Sequence, residues 1–382
     1  MNSLLHLKYL LSLLGISCVI SLSCTGRSPD LEFLTTANSC RDQKANFKDN
    51  KPTLGELVST FNRLGWPKKA GEISAILPMP KIEETPKTTQ KEFASYRYRK
   101  INNDQHLLGN DFFISKLNCE SRIPEWTAHL LHKNRVVKNY CRLDKFTDDP
   151  IKSANSLQNC EHSHDDYTSS GYDRGHLAPA LDFSGYSQSA ISESNYTSNI
   201  APQVGAGFNR HLWLSLESAT RDWGRTRNGP LLIITGTALE SRSILDGINK
   251  RAGIRDHEIN DFAGKRIGKS EKNVVVPAYY YKIILDLNVE PIAALAFVMR
   301  NIDHRAVDYC DPDVGPYFAS NWKSCAEDLT KPDNNTNIER HLTSIDEIEE
   351  ISGIDFFTKA KIDEARVSEL WPISNLSLSE DE

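Results

Sequence analysis

The chain has 382 residues, 39% of them hydrophobic and 25% charged, which fits one large globular domain or two ordinary ones. Its formal net charge is −6, the wrong sign for a protein that coats nucleic acid through cationic phosphate contacts. The charge is uneven, however: residues 326–382 hold 5 Lys and Arg against 15 Asp and Glu, leaving 40 against 36, a net of +4, for the rest. A mildly basic body with an acidic tail argues against tight DNA coating and is compatible with transient binding and turnover.

At the N-terminus, Lys8 precedes an apolar stretch over residues 9–22, short for a bilayer span and suited to a secretory signal. Ser21 and Ser23 are small residues spaced for cleavage before Cys24, so residues 1–23 are expected to be a signal peptide and the protein to be secreted. Residues 20–24 also fit a bacterial lipoprotein site, and a lipid anchor on Cys24 is the alternative. A mitochondrial presequence would be amphipathic and Arg-rich, whereas the first arginine here is Arg27. With Cys18 in the signal and Cys24 set aside, Cys40, Cys119, Cys141, Cys160, Cys310 and Cys325 remain. An even number in an exported chain favours disulfides over reduced buried thiols and leaves the pairing open. Sequons stand at Asn195, Asn334 and Asn375, meaningful in a eukaryotic host.

Thr53 and Glu56 have the spacing of a capping box, and Leu54, Leu57, Val58, Phe61 and Leu64 recur at helical intervals, so an amphipathic helix is expected. Residues 76–90, rich in Pro, Lys, Thr and Glu, read as a linker, and residues 24–94 together as an N-terminal extension. Cys160-Glu161-His162-Ser163-His164 holds zinc-type ligands, but zinc sites draw on two separated pairs and no second pair stands out. A loop near the mouth of the site, with His162 and His164 solvated, is expected instead. Phe208, Leu212, Leu216, Ala219 and Trp223 predict an amphipathic helix over about residues 208–223. Residues 231–237 form the continuous apolar run of a buried central strand. Over residues 274–286, Lys282 and Asp286 fall on one face and Ile283 and Leu285 on the other, the pattern of a half-buried strand. Residues 293–300 add a strand and residues 344–351 an acidic helix. Antiparallel strands with helices around them imply an α+β fold.

The block Asp173-Arg174-Gly175-His176, followed by Ser198-Asn199-Ile200-Ala201-Pro202-Gln203, Asn209 and Glu217, concentrates the chemistry. A neutral imidazole, ordinarily near pKa 6.5, can take a proton from water, which casts His176 as a general base; a metal-ligating or structural histidine is the alternative. Gly175 frees the backbone to bring that ring near a bulky ligand. Arg174 can grip phosphate with a two-pronged fork. Asn209 offers the hard carbonyl oxygen that Mg²⁺ prefers, a helix N-cap being its alternative. On an ideal helix Asn209 and Glu217 are rotated by about 80° and separated by about 12 Å, so Glu217 is expected to hold a water of the ion's hydration shell. Asp173 is expected to orient the backbone or an arginine, with a plain surface ion pair as its alternative. Together these are the parts of a metal-assisted phosphodiester hydrolase.

DRGHLAPA, then SNIAPQ, then FNRHLWLSLE closely resembles the signature of the DNA/RNA non-specific endonucleases, the ββα-metal-finger enzymes of the endonuclease G type. Arg122-Ile123-Pro124-Glu125-Trp126 is similar to the family's first core strand, and residues 230–237, 274–286, 344–349 and 356–357 also look familial. The resemblance covers residues 95–372, leaving 373–382 as an acidic tail. It implies a central six-stranded antiparallel sheet flanked by helices. It also implies Asn209 as the sole direct protein ligand of Mg²⁺ (or Mn²⁺), and Arg142 and Arg174 on phosphate. Asn199 would position phosphate or the water network, a turn residue ahead of Pro202 being its alternative. Substrates would be both DNA and RNA, because activated water places no demand on the sugar, and products would carry 5′-phosphates. No stable protein partner is legible, and a homodimer stays open. Two alternatives remain: a nuclease-like module that binds without cutting, and a hydrolase of small nucleotide or lipid-headgroup phosphodiesters.

Overall fold

The computed structural model describes residues 53–66, 98–137, 162–239, 274–306 and 338–357, with shorter stretches at 140, 145–155, 157, 160, 249, 252, 265–268, 359–362 and 371. Helix α1 (Leu54–Leu64) comes first, then strands β1 (Tyr98–Lys100), β2 (Gln105–Gly109), β3 (Phe113–Asn118) and β4 (Ile123–Leu131). After the short α2 (Pro150–Ala154) follow β5 (Tyr172–His176), α3 (Gln188–Ser194) and β6 (Ile200–Val204). Helix α4 (Trp213–Thr226) leads to β7 (Leu231–Ala238), β8 (Arg266–Ile267) and β9 (Val274–Val275). Strands β10 (Tyr279–Asp286) and β11 (Ala293–Arg300) and helix α5 (Ile345–Ser352) complete the described elements.

Seven strands form one antiparallel sheet in the order β1-β2-β3-β4-β7-β10-β11, one strand more than the resemblance implies. The extra member is the three-residue β1 at the edge. Alternation sends Leu232, Ile234, Tyr281 and Ile283 to one face and Leu231, Ile233, Tyr280 and Ile284 to the other. The first set packs with α1, Trp66, Trp126, α5, Phe356 and Phe357; the second packs with Phe208, Trp213, Leu216 and Trp223 of the segment running into α4. Both faces are therefore covered, and every residue of β7 and β10 is buried. This corrects the half-buried expectation for residues 274–286, which also divide into β9 and β10. Even Lys282 and Asp286 are 1% and 2% exposed; a second helical layer, invisible to the alternation pattern, closes over them.

Helix α1 lies in the same compact unit as the sheet, Phe47–Glu382, so part of the N-terminal extension covers the core. Its apolar stripe is fully buried, but the capping box does not form. The Thr53 hydroxyl donates to the Phe112 carbonyl at 3.3 Å, and the Glu56 carboxylate pairs with His132 at 3.2 Å. Tertiary partners have taken both capping groups. Helix α5, by contrast, carries a complete Ser344–Glu347 capping box and ends at the left-handed Gly353, φ 68°. Residues 76–90 and the signal segment lie outside the described residues.

Candidate active site

Strand β5 pairs antiparallel with β6, Asp173 opposite Gln203 and His176 opposite Ile200. The chain then kinks at Ala206 and Gly207, whose backbone is not helical, and enters α4 through a π-wound turn that ends at Leu212: two strands followed by a helix. Gly207 at φ 78° explains part of the kink, since a Cβ there would lie 1.7 Å from Asp303 Oδ1 in a backbone region that favours glycine. From Phe208 the backbone is helical into α4, so the expected helix over about residues 208–223 forms, with a π-wound first turn that holds Asn209. An angular offset between Asn209 and Glu217 drawn from ideal α-helical geometry does not apply, because π-turns re-aim side chains.

The Asn209 amide donates to Asp173 Oδ2 at 2.9 Å, and Arg210 Nε reaches the same oxygen at 3.0 Å. With its hydrogens turned toward that carboxylate, Asn209 presents its carbonyl oxygen on the opposite side, a neutral hard donor that fits Mg²⁺ or Mn²⁺. Asp173 therefore orients both a candidate ligand and an arginine. Three residues on, His176 is 8% exposed, and its Nε2 lies 2.9 Å from Asn195 Oδ1. An amide oxygen can only accept, so Nε2 carries the hydrogen and Nδ1 keeps the lone pair able to take a proton.

Asn195 is the site residue that sequence reasoning missed. It entered only as the asparagine of a sequon, yet it is 0% exposed and spent on the imidazole. No periodicity or spacing marks it, and its buried side chain is closed to glycosylation in the folded protein.

Packing also calls for glycine at 175. A Cβ there would sit 2.3 Å from the Gln203 side chain, so the missing side chain makes room for Gln203. That glutamine is fully buried, with both amide atoms unpartnered among the described residues.

Arg174 directs Nε and Nη2 at the His164 carbonyl, at 3.0 and 2.7 Å, with its guanidinium over Phe146 and Tyr167 at 5.5 and 5.8 Å. Phe146 also packs on the His176 ring at 5.5 Å. One prong of the expected fork is thus held by backbone. Asn199 is buried, its two amide hydrogens going to the Ala178 and Ser194 carbonyls at 2.8 Å each and its oxygen accepting from the Ala178 amide at 2.9 Å. With no hydrogen left for phosphate, it pins the backbone following His176 to the backbone beside Asn195. Expected to position phosphate or the water network, it positions backbone beside the candidate base instead.

Glu217 is half-buried on α4, and its charge acts on Lys282. Burial pushes that ammonium down to about 8, while Glu217 and Asp182 hold it up. Lys282 donates to Thr235 Oγ1 at 2.7 Å and lies 4.9 Å from the Trp213 ring. Arg142 lies outside the described residues.

Cys160 forms a disulfide with Cys119; the other four candidate cysteines lie outside the described residues. His162 is 1% exposed, contrary to the solvated expectation, with burial first and Lys152 second pushing its pKa down to about 3. His164 is exposed, as expected.

An antiparallel sheet carrying a hairpin-and-helix unit, with a candidate asparagine ligand at the helix entry and a buried histidine on the hairpin, is a ββα-metal nuclease architecture. A model of the DNA/RNA non-specific endonuclease family matches residues 91–362, and the chain belongs to that family. It is 33% identical over 214 residues to a nuclease of Syncephalastrum racemosum, covering 54% of this chain and 61% of that protein. It is 31% identical over 207 residues to the mitochondrial nuclease of Saccharomyces cerevisiae, covering 51% and 56%. The matched region thus spans less than two thirds of each relative's length. A crystal structure of an EndoG/EndoGI complex aligns with a TM-score of 0.48 at 24% identity, over 66% of this chain and 85% of that one.

Proposed function

We propose that this protein is an exported, metal-dependent endonuclease that hydrolyses phosphodiester bonds in both DNA and RNA. One observation carries the reading: strand β5 orients a hard-oxygen donor through Asp173 and presents His176 with its tautomer fixed by Asn195. A divalent cation at Asn209, Mg²⁺ or Mn²⁺, would neutralise charge on the scissile phosphate and the departing oxygen. The remaining steps belong to the chain's own groups. His176 accepts the proton of the attacking water at Nδ1, and burial beneath Phe146 keeps the ring in place. Arg174, fixed by the His164 carbonyl, offers positive charge along the same strand. Glu217, tethered electrostatically to Lys282, orders water near the helix entry. Asn199 keeps the backbone after His176 against the backbone beside Asn195.

The sugar has no part in this scheme, which is why both polymers serve and why cleavage leaves 5′-phosphates. Export accords with the apolar residues 9–22 and with a disulfide between Cys119 and Cys160, a bond of oxidising compartments. The mass of the mature N-terminus tests that part, a free Cys24 and a lipidated one giving different masses. For the activity, plasmid and RNA are incubated with and without Mg²⁺. Cutting of both that stops with chelator, and that falls by about 10²-fold or more in His176→Ala, is the expected result. Full activity of that variant at neutral pH would remove His176 as the base.

A further inference from the structure

Side chains two apart on a strand share a face, about 6.6 Å from one to the next, so Tyr172, Arg174 and His176 form a row on β5. The shared contact with Phe146 bears this out for Arg174 and His176. The row continues past the strand. Lys265 Nζ lies 5.7 Å from the centre of the Tyr172 ring, and Lys265 and the next residue, Arg266, are both exposed.

Arg266 Nη1 donates to the Glu120 carbonyl at 3.3 Å, which docks it on the tight turn that ends at Arg122. That arginine has φ 64°, a left-handed conformation uncommon for a residue with a side chain and a marker of local constraint. Its pKa is lowered by burial first and by the charge of Arg266 second, with Asp166 opposing. Asp166 is itself spent on the Ser163 amide at 2.8 Å. The turn holding Asp166 also supplies the His164 carbonyl that grips Arg174, and Asp166 lies against Gly268, just beyond Arg266. Thus Arg174 and the Arg122–Lys265–Arg266 group flank a single turn. Two like charges held within mutual influence cost energy in the free protein, and a polyanion relieves that cost.

We propose that Lys265 and Arg266, backed by Arg122, form a second phosphate-binding station that extends the row of His176 and Arg174 and grips the nucleic-acid strand beyond the scissile phosphate. This rests on the nuclease reading above and adds a requirement for substrate length. From His176 to Tyr172 the row runs about 13 Å, more than one phosphate can fill, so the ligand is a polymer backbone rather than a lone anion. Among the described residues, the exposed acidic side chains at its margin are Glu120 and Asp165, and Asp165 is paired with His164 at 3.2 Å.

The test is the double variant Lys265→Gln/Arg266→Gln in the full chain, with its thermal midpoint checked against wild type. Binding of a single-stranded oligonucleotide of about 20 residues is followed by fluorescence anisotropy in chelator over a salt series. Steady-state cleavage is measured on the same oligonucleotide and on a dinucleotide. The double variant should raise KM for the oligonucleotide about fivefold to twentyfold and flatten the slope of log affinity against log salt by about 1.4, near 0.7 per lost contact. Its kinetics on the dinucleotide should match wild type. An unchanged slope and KM, or equal losses on both substrates, would overturn the proposal while leaving the nuclease reading intact. A wild-type enzyme that cuts neither substrate would sink that reading, and the second station with it.

Discussion

Replacing Asn195 with Asp should move the acid limb of the pH–rate profile to higher pH. The amide oxygen sits 2.9 Å from His176 Nε2, with the two residues 0% and 8% exposed. Asp places a full negative charge at that distance, where water screens it poorly. An opposite charge so close favours the imidazolium and raises the imidazole pKa by about one to two units. A protonated ring cannot accept the water's proton, so at a pH on the acid limb kcat/KM falls about tenfold to a hundredfold. It recovers once the pH is raised by the same one to two units. Asn195→Ala acts differently: it leaves a buried N–H without its acceptor, at about 1–3 kcal/mol, and frees the ring to change tautomer. Turnover should then drop about tenfold or more at every pH, with little change in KM. The assay is kcat/KM on supercoiled plasmid between pH 5 and about 9 at saturating Mg²⁺. A profile for Asn195→Asp that superimposes on wild type would refute the argument, since the titrating base would then not be the ring Asn195 holds.

Asp173→Ala, by releasing the Asn209 amide, should raise the Mg²⁺ concentration for half-maximal rate by about tenfold, and Asn209→Ala should raise it further; identical metal titrations would exclude both from the metal site. Leu57, 0% exposed beneath the sheet, should cost about 2–5 kcal/mol on truncation to Ala, seen as a lower urea midpoint, with activity retained below the transition; an unchanged midpoint would mean that α1 does not pack as described. Burial holds His162 at about 3 and His304 at about 4, while the unfolded chain binds both protons near pH 6.5. Stability is therefore complete above about 6.5 and lost as pH falls toward 4, by at most about 1.4 kcal/mol per pH unit for each histidine. His162→Gln should flatten the fall in urea midpoint between about pH 6.5 and 5, and an equal fall would count against a buried neutral His162. Reducing the Cys119–Cys160 bond, which closes a loop of 41 residues, should cost up to about 4 kcal/mol; a thermal midpoint unmoved by reductant would argue against the bridge.

Long-range order was legible wherever one physical pattern dominated. The apolar run of residues 231–237 became β7, and the capping spacing of Ser344 and Glu347 became a capped helix. What escaped were competitions between local and tertiary partners. Thr53 and Glu56 have capping spacing, but Phe112 and His132 claim them. Lys282 alternates as a solvent-facing residue should, yet α4 covers it and the Thr235 hydroxyl accepts its hydrogen bond. In the candidate site, residue types pointed to Asp173, His176 and Asn209, because acid–base and hard-ligand chemistry restrict the side chains available. Asn195 has no such mark, since any acceptor brought near Nε2 by the fold could serve. The kink at Ala206 and Gly207 was hidden for a similar reason: it depends on Asp303 packing over Gly207, about a hundred residues along the chain.

The most direct test of a metal-dependent, sugar-indifferent hydrolase is an end-group assay on both polymers. Plasmid DNA and RNA are digested to partial extent with Mg²⁺, and the fragments are offered to ligase without prior kinase treatment. The account predicts that DNA and RNA are both cut, that chelator stops the reaction, and that the fragments join directly because they carry 5′-phosphate and 3′-hydroxyl ends. RNA products ending in 2′,3′-cyclic phosphate, together with an enzyme inert on every deoxy substrate, would show that the ribose hydroxyl is the nucleophile and contradict the account.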